Sequence, residues 1–235
     1  MALAHFTGRA DGDLGGVGSG ADPSVDARCR AVLDRPWSRL RQVHGARVVV
    51  VTRPGDKAGA EADASVSVRR DAALCICTAD CAPVAFASPE GVIGAAHAGW
   101  PGLAAGVIEA TVVAMRALGA SDIEAALGPC VHPSCYEFGV ADLDDLVATL
   151  GPLVRSETSW GTPAFDVPAA VRGALERAGA SLVHASAVCT ACTSDAVGPT
   201  HFSHRARGER ERQALVVWRP DAARVGSEPR PTERL

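Results

Sequence analysis

Three reactive side chains stand at the ends of short apolar runs: His44 in Gln42-Val43-His44-Gly45, Cys81 in Thr78-Ala79-Asp80-Cys81-Ala82-Pro83, and His97 in Ala96-His97-Ala98-Gly99-Trp100. A side chain at a strand end can meet a ligand while the sheet holds its backbone still. Two imidazoles and one thiolate make good tetrahedral zinc ligands and leave one position open, the pattern of a catalytic rather than a closed structural site. The same residues admit a metal-free reading, with Cys81 as a nucleophile activated by His97 or His44. Asp80, next to Cys81, is placed to carry a proton or to orient a histidine from behind.

Other reactive residues group more loosely. Cys75 and Cys77 alternate on one strand and share a face, which reads as core. Cys189-Thr-Ala-Cys192 has CxxC spacing but lacks a second CxxC, so it is expected to be structural or incidental. The stretch from Gly128-Pro129-Cys130 to Cys135-Tyr136-Glu137 has turn character and holds the only tyrosine, which marks a substrate-lining loop. His201-Phe-Ser203-His204-Arg205 brings two imidazoles and a guanidinium together ahead of a solvated RARGERER run. Walker and Rossmann glycine loops, a GxSxG elbow and an HExxH pair are all absent from the sequence.

The elements that must position these residues follow from periodicity. Strands are expected at 47–52, 65–68, 73–77, 83–87, 92–96, 123–127, 182–188 and 214–218, each short, apolar and bounded by turn formers. A long helix is expected over 101–118 with Gly119 as its stop, and shorter ones over 143–150 and 167–178 with Gly179 closing the last. Residues 1–25 read as loops around short edge elements, and about 222–235 as a flexible tail. No linker or repeat interrupts the rest, so 1–235 is expected to be a single α+β domain with mixed sheets.

Composition narrows the function classes. With 235 residues, 47% hydrophobic and 21% charged, the chain can bury a real core. A net charge of -4 offers no basic field for a nucleic-acid backbone, and no apolar run reaches bilayer length, so neither nucleic acid nor membrane is an expected partner. Met1–Ala10 lacks the apolar core of a signal peptide. The expected location is the cytoplasm, and the eight cysteines are therefore read as reduced core residues, ligands or nucleophiles. A monomer or weak homodimer suffices at this size.

Taken in order, QVHG, TADCAPV, AAHAGW, GPCVHPSCYEFG, FDV and CT…HFSHR, from about Gln42 to Trp218, resemble the laccase-like, peptidoglycan-editing-factor (YfiH-like) family, which includes purine nucleoside phosphorylase/adenosine deaminase enzymes. The resemblance implies a four-layer α/β/β/α sandwich and a zinc held by His44, Cys81 and His97. It also implies phosphorolysis of adenosine, inosine and methylthioadenosine, and deamination of adenosine. Cys81, Asp80 and Arg205 are the catalytic candidates; Gln42, Cys135, Tyr136 and His204 are the substrate-binding ones. The family's older label of multicopper polyphenol oxidase makes copper the second choice of metal. Seven histidines with no His-x-His pair suit a single zinc at least as well. Relatives carry Arg directly after HAGW, where this chain has Pro101, and a Gly-Arg pair where it has Glu211-Arg212. Phosphate binding would then fall to Arg205 and to the start of the helix after Trp100. The alternatives are peptidoglycan-precursor editing or cysteine hydrolysis through Cys81, and a catalytically silent metal-binding protein.

Overall fold

The computed structural model describes residues 1–16, 23–220 and 233–235. Two sheets stacked face to face carry the fold. One has the order β13-β1-β12-β5-β2 and the other β11-β8-β6-β7-β4-β3. In chain order the elements are β1 (Leu3–Phe6), α1 (Pro23–Val32), β2 (Trp37–Arg39), β3 (Val48–Val50), β4 (Ala64–Ser67), β5 (Ala73–Thr78), β6 (Ala82–Ala87) and β7 (Ile93–Ala98). There follow α2 (Trp100–Ala104), α3 (Val107–Ala117), β8 (Glu124–Leu127), α4 (Val140–Leu150), β9 (Arg155–Glu157), β10 (Pro163–Phe165), α5 (Val167–Ala178), β11 (Ser181–Ala185), α6 (His204–Arg207), β12 (Gln213–Trp218) and β13 (Glu233–Arg234). The strands β9 and β10 form a separate two-stranded ribbon.

The side-chain period of two explains the layers. Along β5, Leu74 and Ile76 enter the core between the sheets, while Ala73, Cys75 and Cys77 face the layer of α1. Along β12, Leu215 and Val217 face inward and Ala214, Val216 and Trp218 pack with Val25, Cys29 and Val32 of α1. On the second sheet, Ala85, Ala87, Ile93 and Ala95 meet the first sheet, whereas Val84, Phe86, Ala96 and Ala98 lie under Ile108, Val112, Leu146 and Val171 of the helices. Central strands covered on both faces read as continuous apolar runs, which is why the sequence shows them so plainly. The order of layers is helix, sheet, sheet, helices, as expected.

Several expectations need correction. The helix expected over 101–118 is two helices, because Gly106 takes a left-handed φ of 84° between α2 and α3. The N-terminus was expected to be edge and loop; β1 is instead an interior strand, antiparallel to both β12 and β13. The first helix, α1, went unforeseen because Pro, Ser and Asp crowd its first turn and its apolar stripe is thin. Of the tail expected to fray, 221–232 lie outside the described residues. The end of the chain does not fray: Glu233 and Arg234 pair with Ala4 and Leu3 of β1, which satisfies edge groups that an extended β1 must offer to something. By contrast, α5 starts and stops as its sequence dictates, with the Asp166 side chain accepting from Ala169 N at 2.9 Å and Gly179 closing it in the left-handed region.

Candidate active site and metal centre

His44, Cys81 and His97 converge, with their ligand atoms all within 4.8 Å of one another. Two of them meet at the open end of one hairpin: Cys81 immediately precedes β6, and His97 sits near the end of β7 with Pro83 as its antiparallel partner. His44 is brought in by a turn that the sequence does not reveal. The carboxylate of Asp63, fully buried, accepts from three successive backbone N–H groups: Val43 at 3.2 Å, His44 at 2.9 Å and Gly45 at 2.7 Å. Gathering successive N–H groups onto one anion bends the chain into a nest, and His44 accordingly takes a φ of 59°.

Asp63 also fixes the second histidine. Its Oδ1 lies 2.9 Å from His97 Nδ1. Burial alone would raise the Asp63 carboxyl, but the His97 ring and the Gly45 and Val43 N–H groups hold it below the usual carboxylate range. An ionised carboxylate only accepts, so His97 donates through Nδ1 and keeps Nε2 for a ligand. Of the two roles open to Asp80, carrying a proton or orienting a histidine, the orienting of His97 falls to Asp63. It stands just before β4 in the run Glu61-Ala-Asp-Ala, with no local signal beyond an acid at a strand start.

The three donors fit a metal ion. Tetrahedral zinc with ordinary Zn–N and Zn–S lengths separates its N and S donors by about 3.6 Å, and Cys81 Sγ lies 3.7 Å from His44 Nε2. The His44 and His97 rings meet edge to face, 4.7 Å between centroids. A glycine makes room for them: a Cβ on Gly99 would lie 2.7 Å from His44 Cδ2 and 3.0 Å from Cys81 Sγ. Electrostatics agree with the geometry. Burial would raise the Cys81 thiol, but His97 and His44 draw it down to about 6. His97, which burial alone would lower, is raised to about 9 by Cys81 and Asp63.

This trio lies in a cavity of about 620 Å³ whose wall includes Arg41, Gln42, Asp80, Trp100, Tyr136, His204, Arg205 and Arg212. Seven of the eight sequence candidates named as ligands or pocket residues besides Asp80 thus meet there; Cys135 does not line it. Gln42 is fixed by both ends of its amide, donating to Cys77 O at 2.7 Å and accepting from Cys77 N at 2.9 Å. Cys77, read as core, reaches the cavity wall, while its sulfur stays 4.0 Å from that of Cys75. Burial pushes Tyr136 up to about 12, so it remains a neutral hydroxyl. Arg205 lies over the Tyr136 ring at 5.3 Å and donates to Glu137 O. Asp80 holds a φ of 100° and accepts from Thr190 Oγ1 at 2.7 Å and from the Arg205 backbone N at 2.6 Å. It ties the Cys81 turn to the Thr190 loop and to α6. Arg41, Arg212 and Asp63 are not distinguished by the sequence, because Arg41 and Arg212 stand among other arginines in RLR and RARGERER with nothing local to single out the ones that reach the cavity.

The helix start expected to bind an anion does not have the expected length. Only the five residues of α2 follow Gly99, and Pro101 removes one of its first N–H donors. Among the described residues no helix is long and apolar enough to cross a membrane.

Comparison with known proteins agrees with the fold. The profile of the family described as "Multi-copper polyphenol oxidoreductase laccase" matches residues 24–220. A Streptomyces coelicolor protein named purine nucleoside phosphorylase SCO2081 is 46% identical over 183 residues, 76% of this chain and 73% of that one. A Mycobacterium bovis protein named purine nucleoside phosphorylase BQ2027_MB2173C is 36% identical over 209 residues, 85% of this chain and 81% of that one. The crystal structure of YlmD from Geobacillus stearothermophilus superposes with a TM-score of 0.79 at 31% identity, covering 94% of this chain and 92% of that one. With the match spanning nearly all of the two-sheet sandwich and its His/Cys/His centre, the chain belongs to the multi-copper polyphenol oxidoreductase laccase family.

Proposed function

We propose that this chain is a zinc-dependent purine nucleoside enzyme, cleaving adenosine, inosine and methylthioadenosine with phosphate and deaminating adenosine. The observation that carries the reading is a three-donor centre with an open side, set in a cavity walled by aromatic rings and arginines. The relatives' names, purine nucleoside phosphorylase, support the phosphorolytic half of this reading. Zinc is favoured over copper because, among the described residues, histidines gather with other donors only at His44, Cys81 and His97, whereas a multicopper centre needs several imidazole-rich sites.

The chain's own residues divide the work. Tyr136 and Trp100 offer ring faces to a purine. Arg205, with Arg41 and Arg212 on the same wall, attracts the phosphate that replaces the base at the sugar carbon; the glycosidic C–N bond breaks, a C–O bond forms, and the departing base takes up a proton. His204 and Gln42 are placed to hydrogen-bond the nucleoside. Asp80 positions Arg205 through its backbone N–H. Asp63 keeps the His97 ring in one tautomer and orientation. When bound at His44, Cys81 and His97, the ion supplies Lewis acidity at its open position.

The test is product analysis of metal-assayed protein incubated with adenosine, with and without phosphate. Adenine formed only with phosphate, and inosine formed in either case, on protein carrying about one zinc at this centre support the reading. Zinc-loaded protein that forms neither product refutes it. A second reading is favoured by the Cys81 thiol, drawn down to about 6 beside two imidazoles: a metal-free cysteine hydrolase, for example in peptidoglycan-precursor editing. Turnover that survives chelators but not alkylation would select it.

A further inference from the structure

The sulfurs of Cys135, Cys189 and Cys192 also lie within 4.8 Å of one another, away from the cavity. They come from three places: the 3-10 turn Pro133–Cys135, an isolated bridge that pairs Cys189 with Cys130, and the exposed position Cys192. All three are free thiols. We propose that these cysteines form a second metal site, holding a thiophilic d¹⁰ ion such as Zn²⁺ through three thiolates, with its fourth position left to water beside exposed Cys192, and tying the loop to the turn.

Geometry and need both argue for it. A tetrahedral zinc with bonds of about 2.3 Å to sulfur sets its thiolates about 3.8 Å apart, and the three sulfurs lie within 4.8 Å of one another, so an ion need draw them in by no more than about 1 Å. Three converging thiols cannot be satisfied by one disulfide, which would leave the third behind, whereas one ion uses all of them. The backbone N–H of His132 donates to Cys189 Sγ at 3.4 Å, the kind of N–H···S bond that steadies a thiolate ligand. The His132 Nε2, shielded from solvent, has no hydrogen-bond partner among the described residues, although the ring lies outside the cluster. Exposed Cys192 provides an entry path.

The need comes from the chain between β11 and α6. Residues 186–203 form neither helix nor strand, only isolated bridges. A stretch of this length without regular structure must be tied by other means if it is to hold a fixed shape. Within it, Thr190 presents its hydroxyl to Asp80, and on the facing segment Tyr136 directly follows Cys135 and lines the cavity. An ion joining Cys135 to Cys189 and Cys192 would tie the loop that braces Asp80 to the segment that carries Tyr136, without touching a substrate. The inference is independent of the purine reading.

Zinc counts by native mass spectrometry on reduced protein dialysed against Zn²⁺ test it. Two ions per chain are expected in the wild type, one in His97→Ala, one in Cys192→Ser and none in the double variant. Should His97→Ala fail to fold by circular dichroism, His44→Ala serves the same purpose; Cys192, exposed, tolerates serine without a packing change. Wild-type protein whose only ion is lost in His97→Ala and kept in Cys192→Ser, or Cys192→Ser with as many ions as the wild type, overturns the proposal. So does recovery of a Cys189–Cys192 disulfide from freshly lysed, alkylated cells.

Discussion

Replacing Gly99 by Ala places one methyl group where the His44, Cys81 and His97 cluster has no room for it. The backbone tolerates it, since Gly99 has φ -75° and ψ 164°, an extended conformation open to any residue. The obstacle is contact alone. The new Cβ would stand 2.7 Å from His44 Cδ2 and 3.0 Å from Cys81 Sγ, where ordinary contact begins at 3.4 Å. His44 must yield by about 0.7 Å, whereas metal–ligand distances tolerate about 0.2 Å. His44 is half free to move, because its ring is exposed, but its backbone is pinned by Asp63. The outcome is a folded protein with a spoiled site: zinc affinity lower by about 10- to 100-fold, the range seen when the surroundings of a metal ligand are disturbed. Competition titration against a chromophoric chelator reads this directly, in a Cys192→Ser background so that only the first site is counted. A thermal midpoint of the metal-free protein within a few degrees of the parent is expected, since no buried group loses a partner. Unchanged zinc affinity in Gly99→Ala would show that His44 is not a ligand, and the centre would have to be redrawn.

Four further outcomes follow from the same geometry. Asp63→Asn sets an amide N–H₂ against backbone donors that now meet a carboxylate oxygen, so it should cost about 3 kcal/mol in urea unfolding and weaken zinc binding; a variant as stable as the parent would refute the nest. In metal-free protein, iodoacetamide labelling of Cys81 should rise with a midpoint near 6, far below the thiol's ordinary 9.0, and a midpoint near 9.0 would remove the thiolate from the account. Stability should nevertheless stay nearly flat over that range. A depressed Cys81 adds stability as pH climbs from about 6 toward 9.0, while a raised His97 loses it between 6.5 and about 9, so the two proton balances oppose. Finally, Arg205→Ala keeps the backbone N–H on Asp80 but removes the guanidinium; the phosphate KM should rise about 10- to 100-fold, the equivalent of about 1.5–3 kcal/mol for one charge-assisted bond. An unchanged KM would transfer that role to Arg41 or Arg212.

What local sequence dictates, it dictated here. Central strands β5, β6, β7 and β12 are buried on both faces, so their apolar runs are unbroken and visible. Asp166, Pro168 and Gly179 bound α5 by capping chemistry that needs no tertiary partner. His44, Cys81 and His97 are singled out in the sequence by their ordered motifs, and the structure brings their ligand atoms together. Tertiary structure alone decided the rest, because it depends on groups far apart in the chain. Gly106 looks like any helical glycine until packing of α3 against β7 and α5 requires a left-handed break. The N-terminal β1 becomes an interior strand only when β12 and β13 arrive on either side. Asp63 reads as a polar residue before a strand; it becomes the anchor of the site because folding removes its water and delivers three N–H groups and an imidazole in exchange. Cys135, Cys189 and Cys192 are scattered thiols in the sequence, and only the loop between β11 and α6, folding back over the 133–135 turn, makes them neighbours.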